Sequence, residues 1–152
     1  RVFRMIPGLR NAEFARYGVM HRNTFIQAPR LLDRDLRLRG IDAPVYVAGQ
    51  LSGTEGYCEA IASGLMCALF VYAQLQGMQA PLLPVETVFG ALLDYATDPA
   101  TRDYQPMHVN FGILKPLDQH IRNKGMRYAA YAERGSRAME GYVTDIRAKG
   151  LL

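Results

Sequence analysis

The chain has 152 residues, 49% of them hydrophobic, 21% charged and 10% aromatic, a composition that buries a core and excludes disordered or collagen-like chains. Its length leaves room for one ordinary domain or a part of a larger enzyme, and excludes two complete nucleotide-binding lobes. Cys58 and Cys67 lack metal-ligand spacing and fall on roughly opposite sides of a helix, so a disulfide scaffold and a metal centre are both excluded and a reducing cytoplasm is expected.

The net charge of +4 conceals a segregation: residues 1–40 carry nine Arg against three acids, residues 41–114 carry Arg102 alone against seven acids, and the remainder is basic again. Basic ends attract a polyanion such as RNA, or they are solvated faces that keep the chain soluble. Residues 60–73 are the most apolar stretch, yet contain Ser63 and Gly64 and fall short of the ~20 residues of a bilayer span. With no basic-then-apolar signal at the start, neither a membrane protein nor a secreted precursor is expected.

The opening run, residues 2–6, reads as a strand that needs a partner from elsewhere, which suggests a piece of something longer. Pro7-Gly8 breaks it, a helical turn is expected around residues 11–14, and partial alternation suits a strand over residues 19–26. Residues 45–48, Val-Tyr-Val-Ala, predict a short buried strand, and Gly49, Gly53 and Gly56 follow it as a glycine-rich turn. A helix from about Tyr57 to Leu75 is nearly uncharged beyond its first turn, so it is expected to be covered on most sides. Its Ala60, Gly64 and Ala68 form a ridge without bulk that suits close backbone packing. Gly77 ends the helix, and Pro81 and Pro84 mark a loop. Residues 86–95 predict a second amphipathic helix, and residues 104–114 an irregular segment. Residues 116–149 predict a polar helical tail split into two or three pieces by Gly125, Gly135 and Gly141, since each interior glycine costs about 1 kcal/mol relative to alanine.

A strand, a glycine turn and a helix start present backbone N–H groups with the positive end of the helix dipole behind them. The spacing here lacks the Lys-Ser/Thr ending of a P-loop and departs from Gly-x-Gly-x-x-Gly. Glu55 and Glu59 favour the dipole but repel a bare phosphate, so a less charged group is expected, such as the pyrimidine end of a flavin. A structural turn with no ligand explains the same spacing equally well.

The runs Val2-Phe3-Arg4-Met5-Ile6-Pro7-Gly8-Leu9, Tyr17-Gly18-Val19-Met20-His21-Arg22-Asn23-Thr24-Phe25-Ile26, Ala48-Gly49-Gln50 with Gly53, Glu55-Gly56-Tyr57 and Glu59, and Gln105-Pro106-Met107 with Asn110-Phe111-Gly112 resemble the folate- and FAD-dependent tRNA uracil-5-methyltransferases, TrmFO. The related MnmG flavoproteins share the Ala-Gly-Gln, Gly and Gly-Tyr-x-Glu pattern but not the His-Arg-Asn-Thr-Phe run. The resemblance implies an α/β fold: the C-terminal part of an FAD-binding, Rossmann-like doubly wound domain over residues 1–80, then a mainly helical segment packed on it over residues 81–152. It further implies a cytoplasmic enzyme that binds FAD, takes hydride from NAD(P)H and a one-carbon unit from methylenetetrahydrofolate, and methylates C5 of a uridine in the tRNA T loop.

By the same resemblance Gly49, Gln50, Gly53, Thr54, Glu55, Gly56 and Tyr57 are cofactor-binding candidates, with Thr54 as a helix cap. His21, Arg22 and Asn23 are candidates for the folate and substrate side. No catalytic residue is assigned: the cysteines implicated in the family's chemistry lie upstream of the matching segment, so the chain alone is expected to be inactive. His108 and His120 read as ordinary. Tyr128, Tyr131 and Tyr142 lie among Arg and Lys, an array that either docks a helix through its tyrosines or stacks on RNA. The rival readings are an MnmG-type wobble-uridine modification protein and a non-catalytic RNA- or partner-binding paralogue.

Overall fold

The computed structural model describes residues 2–15, 18 and 23–152. His21 and Arg22 therefore lie outside the described residues. Among the described residues four α-helices carry the architecture: α1 (Ala28–Leu31), α2 (Tyr57–Leu75), α3 (Val88–Thr97) and α4 (Lys124–Ala148), with short 3-10 turns at Phe3–Met5, Pro7–Leu9, Gly49–Ser52 and Phe111–Ile113.

Among the described residues the doubly wound sheet expected from the resemblance is not formed. Among the described residues β pairing is limited to three isolated bridges, Leu32 with Leu38, Arg37 with Tyr46, and Thr54 with Met107. The cause is a want of partners. Among the described residues, 45–48 pair with the neighbouring 36–38 segment alone, whose Leu38 N–H donates to the Val45 carbonyl at 2.8 Å while the Val47 N–H donates to the Leu36 carbonyl at 3.0 Å. That antiparallel link satisfies two backbone pairs without propagating into a ladder. The opening residues, expected as a strand, instead form the 3-10 turn at Phe3–Met5, its end closed by the Ile6 N–H on the Phe3 carbonyl. The turn of helix expected at residues 11–14 is also not seen.

Helix α2 spans the expected residues and stops where the chain reaches Gly77, whose φ of 67° is left-handed. The Met78 N–H then folds back onto the Ala73 carbonyl at 2.8 Å. Helix α3 starts two residues later than expected, because Thr87 caps it. The Gly90 N–H donates to Thr87 Oγ1 at 2.9 Å, and that hydroxyl donates to the Pro84 carbonyl at 2.7 Å.

The main core gathers Ala28 and Leu32 of the α1 turn, Leu36, Met66 and Phe70 of α2, Leu93 and Ala96 of α3, and Tyr104. A smaller cluster of Ala73, Ile146 and Leu151 pins the end of α4 to the end of α2. Arg39 ties the first helix to the third: its guanidinium donates to Asp33, to the Pro29 carbonyl and to the Thr97 carbonyl at 2.7, 2.9 and 3.2 Å. A cation at the last turn of α3 suits the negative end of the helix dipole. Part of the basic charge of the first 40 residues is thus spent within the fold, with Arg34 also paired to Asp94 at 3.2 Å.

The polar tail is one unbroken helix of 25 residues, not the two or three pieces expected. Asn123 caps it by accepting the Met126 N–H at 3.0 Å. Its glycines are tolerated because packing outweighs propensity. At Gly135 a Cβ would lie 3.4 Å from the Glu86 carbonyl, so a small residue lets α4 approach the loop before α3. Gly141 has no such reason, since nothing lies within 4 Å of its Cβ position. Gly141→Ala is therefore expected to raise stability by about 0.5–1 kcal/mol, read as a higher urea midpoint at unchanged slope; a loss of stability would show that α4 is broken at this point.

Helix α2 departs most from expectation in its surroundings. Its buried residues are Glu59, Ser63, Met66, Phe70 and Ala73, a single stripe, and the opposite side is exposed along its whole length.

Candidate functional site

The glycine turn is a knot of hydrogen bonds centred on the Gly49 peptide. Ser63, in the second turn of α2, receives the Gly49 N–H on its Oγ at 2.8 Å and donates to the Ala60 carbonyl at 2.9 Å. The Gly49 carbonyl accepts from Ser52 Oγ at 2.8 Å and from Thr54 Oγ1 at 2.9 Å. Ser52, Thr54 and Ser63 are all fully buried, and buried hydroxyls are stable only when so paired. Thr54 is thus not the helix cap expected of it: its hydroxyl is committed to the turn, and α2 begins at Tyr57 with Gly56 in the cap position and no side-chain cap. An uncapped start leaves first-turn N–H groups without an intrahelical partner.

Two of the three glycines are required by the protein's own packing. A Cβ at Gly53 would lie 1.9 Å from the Tyr104 hydroxyl, which donates to the Ser52 carbonyl at 2.7 Å, and Gly53 has a left-handed φ of 85°. A Cβ at Gly56 would lie 2.3 Å from Glu59 Oε2 and 2.7 Å from His108 Nδ1. Gly49 meets only the Ala60 methyl, at 3.7 Å. Burial, and secondarily Tyr95, pushes the Tyr104 phenol well above its ordinary range, so it stays a neutral donor.

Glu59 is buried, and its Oε1 accepts the Val109 N–H at 3.0 Å, with His108 Nδ1 3.9 Å away. The carboxylate thus lies in the first turn of α2, where the dipole favours it, and anchors a distant segment. Residues 104–113 run beside the turn: Thr54 bridges Met107 in parallel, with the Glu55 N–H on the Met107 carbonyl and the Met107 N–H on the Gly53 carbonyl, each at 3.2 Å. His108, read as ordinary from the sequence, and Glu59 therefore belong to the neighbourhood of the helix start.

Among the sequence candidates, the structure brings Asn23 to the turn: its amide donates to Glu55 Oε1 at 3.3 Å. Tyr57 stands almost wholly in solvent, 92% exposed. Gln50 carries the site's one open request: its Nε2 is buried and meets no hydrogen-bond partner among the described residues. The residues that sequence reasoning missed are Ser52, Ser63 and Tyr104. Ser63 was signalled by being the one Ser or Thr in an apolar helix; Tyr104 lies 52 residues from its acceptor and carried no local signal.

The loop at residues 110–113 acquires a structural account. Asn110 Oδ1 accepts the Gly112 N–H at 2.9 Å, shaping the turn that presents Phe111. Phe111 stacks on Tyr128 with centroids 4.3 Å apart and planes within 4°, and lies 5.8 Å from Tyr131. Arg134 covers Tyr131 at 5.2 Å and donates to the Lys115 and Pro116 carbonyls at 2.8 and 3.0 Å. Tyr142 donates to the Pro81 carbonyl at 2.7 Å. The tail tyrosines therefore dock α4 onto the body of the protein.

Two outcomes follow. Gly53→Ala is expected to cost about 2–4 kcal/mol, read by urea denaturation, because it combines a left-handed φ with a clash against a held phenol; a cost near zero would mean Tyr104 does not lock the turn. Burial, with a smaller contribution from Asp35, raises the Cys67 thiol to about 11. At pH 8 roughly one Cys67 in a thousand is then a thiolate, so Ellman's reagent should modify exposed Cys58 in a fast phase and Cys67 far more slowly. Two equal fast phases would refute that burial.

A model of the family described as glucose inhibited division protein A matches residues 1–79. The methylenetetrahydrofolate–tRNA-(uracil-5-)-methyltransferase TrmFO of Thermosynechococcus vestitus is 47% identical over 145 residues, which cover 95% of this chain and 31% of that protein. The protein of the same name from Syntrophotalea carbinolica is 48% identical over 140 residues, 92% of this chain and 30% of its own length. That from Streptococcus suis is 44% identical over 145 residues, 95% and 32% respectively. The chain spans about a third of the length of these relatives.

Proposed function

The chain belongs to the glucose inhibited division protein A family, and from that premise we propose that it works as part of a methylenetetrahydrofolate-dependent tRNA (uracil-5-)-methyltransferase that uses FAD reduced by NAD(P)H. The observation that carries this reading is the identity of 44–48% to proteins of that name, held over at least nine-tenths of the chain in the relatives compared. The chain supplies one wall of the cofactor site and is inactive without the rest.

The residues present fit a flavin in one respect that can be pointed to. The buried Gln50 amide lacks an acceptor, and the uncapped start of α2 offers N–H groups, a donor set suited to the carbonyl-bearing edge of a pyrimidine ring. Bound FAD supplies the two-electron reduction that turns a one-carbon unit into a methyl group. In this reading Gln50, Glu55, Gly56 and Tyr57 face the cofactor. Gly49, Gly53 and Thr54 act one layer behind, since their turn is satisfied internally. Asn23 orients Glu55, and with His21 and Arg22 forms the folate and substrate side.

The roles of these residues are to bind, orient and exclude. Glu59 accepts the Val109 N–H and holds residues 104–113 along the turn, closing one side of the site to water. Tyr104 fixes the Ser52 carbonyl and so the pitch of the turn.

The test is a chimera in which this chain replaces the matched 145 residues of the Thermosynechococcus relative. The chimera is expected to purify yellow and to methylate C5 of a tRNA uridine with methylenetetrahydrofolate and NAD(P)H. Gln50→Leu should lower flavin affinity by about tenfold, the loss of one good buried hydrogen bond. A cooperatively melting chimera that binds no flavin, or that modifies only the wobble uridine, would overturn the assignment.

A further inference from the structure

A cavity of about 830 Å³ lies between residues 27–30, at α1, and residues 99–105, after α3. Its two walls are fastened to each other from within the chain. The Arg39 guanidinium donates to the Pro29 carbonyl at 2.9 Å on one side and to the Thr97 carbonyl, just ahead of the second wall, at 3.2 Å. Asp98 shapes that second wall: its Oδ1 accepts the Ala100 N–H at 2.8 Å and its carbonyl accepts the Thr101 N–H at 2.9 Å. The concavity is thus built by the fold of these two segments. Residues 30–39 hold four arginines, and three of them are spent on the fold: Arg34 on Asp94, Arg37 on the Asp42 carbonyl and Arg39 on Asp33. Arg30 is not, and neither is Arg102 on the other wall; both line the cavity, and neither has a partner among the described residues. Asp103 lines it too, with a left-handed φ of 49°. A residue with a side chain adopts that conformation only at a cost, and such strain collects at ligand sites.

We propose that this cavity binds a ribose phosphate, with Arg30 and Arg102 on the phosphate and Asp103 accepting from a ribose hydroxyl. Guanidinium forks match phosphate oxygens, and two of them on facing walls repel each other until an anion lies between. A bare anion leaves Asp103 as a like charge beside it. A ligand that carries hydroxyl donors next to its phosphate satisfies all three side chains, and a ribose hydroxyl is both donor and acceptor. The volume falls in the range of about 300–1,000 Å³ usual for small-molecule sites, so a nucleotide fits where a lone ion would leave most of the space to water. Gln27 and Gln105 complete a polar lining that suits no apolar ligand. Tyr104 also lines the cavity while its hydroxyl holds the Ser52 carbonyl, so the nucleotide sits one side chain behind the glycine turn and apart from Gln50 and the start of α2. The inference does not rest on the flavin or the methyl transfer. The ribose phosphate comes either from an RNA strand or from a dinucleotide, and the recognition chemistry is the same.

The experiment titrates 5′-AMP into the 152-residue chain and into the chimera, and follows binding by broadening of the ligand's NMR lines. Binding is expected in both proteins, weakened about tenfold by Arg30→Gln or by Arg102→Gln, each of which removes one charge-assisted contact. Neither substitution should change the melting temperature, since neither arginine has a partner to lose. AMP is expected to bind about tenfold more tightly than 2′,3′-dideoxy-AMP. Asp103→Gly, which keeps the left-handed backbone, should erase that preference and strengthen the binding of inorganic phosphate. Absence of AMP binding from either protein would overturn the inference, and absence from the chimera alone assigns the cavity to the remaining polypeptide. So would inorganic phosphate binding as tightly as AMP, or arginine variants that lose stability and affinity together. Competition identifies the source: displacement of AMP by tRNA points to an RNA strand, displacement by NADP⁺ to a dinucleotide, and displacement by neither overturns the proposal. A chimera that binds AMP but no flavin refutes the cofactor reading alone; one that binds flavin but no AMP refutes this inference alone.

Discussion

The structure turns on the Gly49 peptide, whose N–H and carbonyl are both claimed by side chains of the elements around it. Ser63 reaches it from inside α2, and Ser52 and Thr54 reach it from the turn itself. A turn held from both sides of one peptide cannot slide along the helix, so the pitch at which α2 starts is set by hydroxyls and not by a cap. Tyr104 then locks the far end of the turn through the Ser52 carbonyl. Removing Ser63 would take the side-chain partner from the Gly49 N–H, and removing Tyr104 would take it from the Ser52 carbonyl, each costing more than the bond itself contributed; the Gly49 carbonyl keeps one hydroxyl when either Ser52 or Thr54 is lost.

From this knot the rest follows in two directions. Glu59 and the Thr54–Met107 bridge carry its position to residues 104–113, and Phe111 carries that on to α4 by stacking on Tyr128. In the other direction Ser63 shares α2 with Met66, Phe70 and Ala73, which lead into the core and the α4 anchor. The helix start, the loop beside it and the tail thus form one mechanical unit. That is why a segment as distant in sequence as residues 104–113 bears on the geometry of a site built around residues 49–57.

Legibility in the sequence divides along the range of the forces involved. The span of α2 was legible because periodicity and the break at Gly77 are local, and the family resemblance was legible because short motifs survive in order. The sheet was not. A β-prone run states a capacity to pair, whereas pairing needs a neighbour, and among the described residues 45–48 meet only 36–38. Single-helix α4 was misjudged for the opposite reason: glycine propensity is local and worth about 1 kcal/mol, while the packing of Tyr128, Tyr131, Tyr142 and Ile146 is tertiary and larger. At the site, Asn23, Gln50 and Glu55 were legible as candidates. The actual uses of Thr54 and Glu59 were not, since both depend on which distant atoms fold against them.

The glycines of the turn show how one sequence signal can have two physical sources. Read as a motif, Gly53 and Gly56 suggest space kept free for a ligand. In the structure that space is taken by Tyr104 at one and by Glu59 and His108 at the other, so neither glycine by itself argues for a bound group. The argument for a ligand rests instead on an atom that the protein does not satisfy, the Gln50 amide, and on an α2 start that no side chain caps. The same reasoning separates the two sides of α2. Where it faces the turn, its small and polar residues are used up by bonds within the chain; where it faces outward, Gly64 and Ala68 have no neighbour to accommodate, and an apolar surface without a neighbour costs free energy for as long as water covers it.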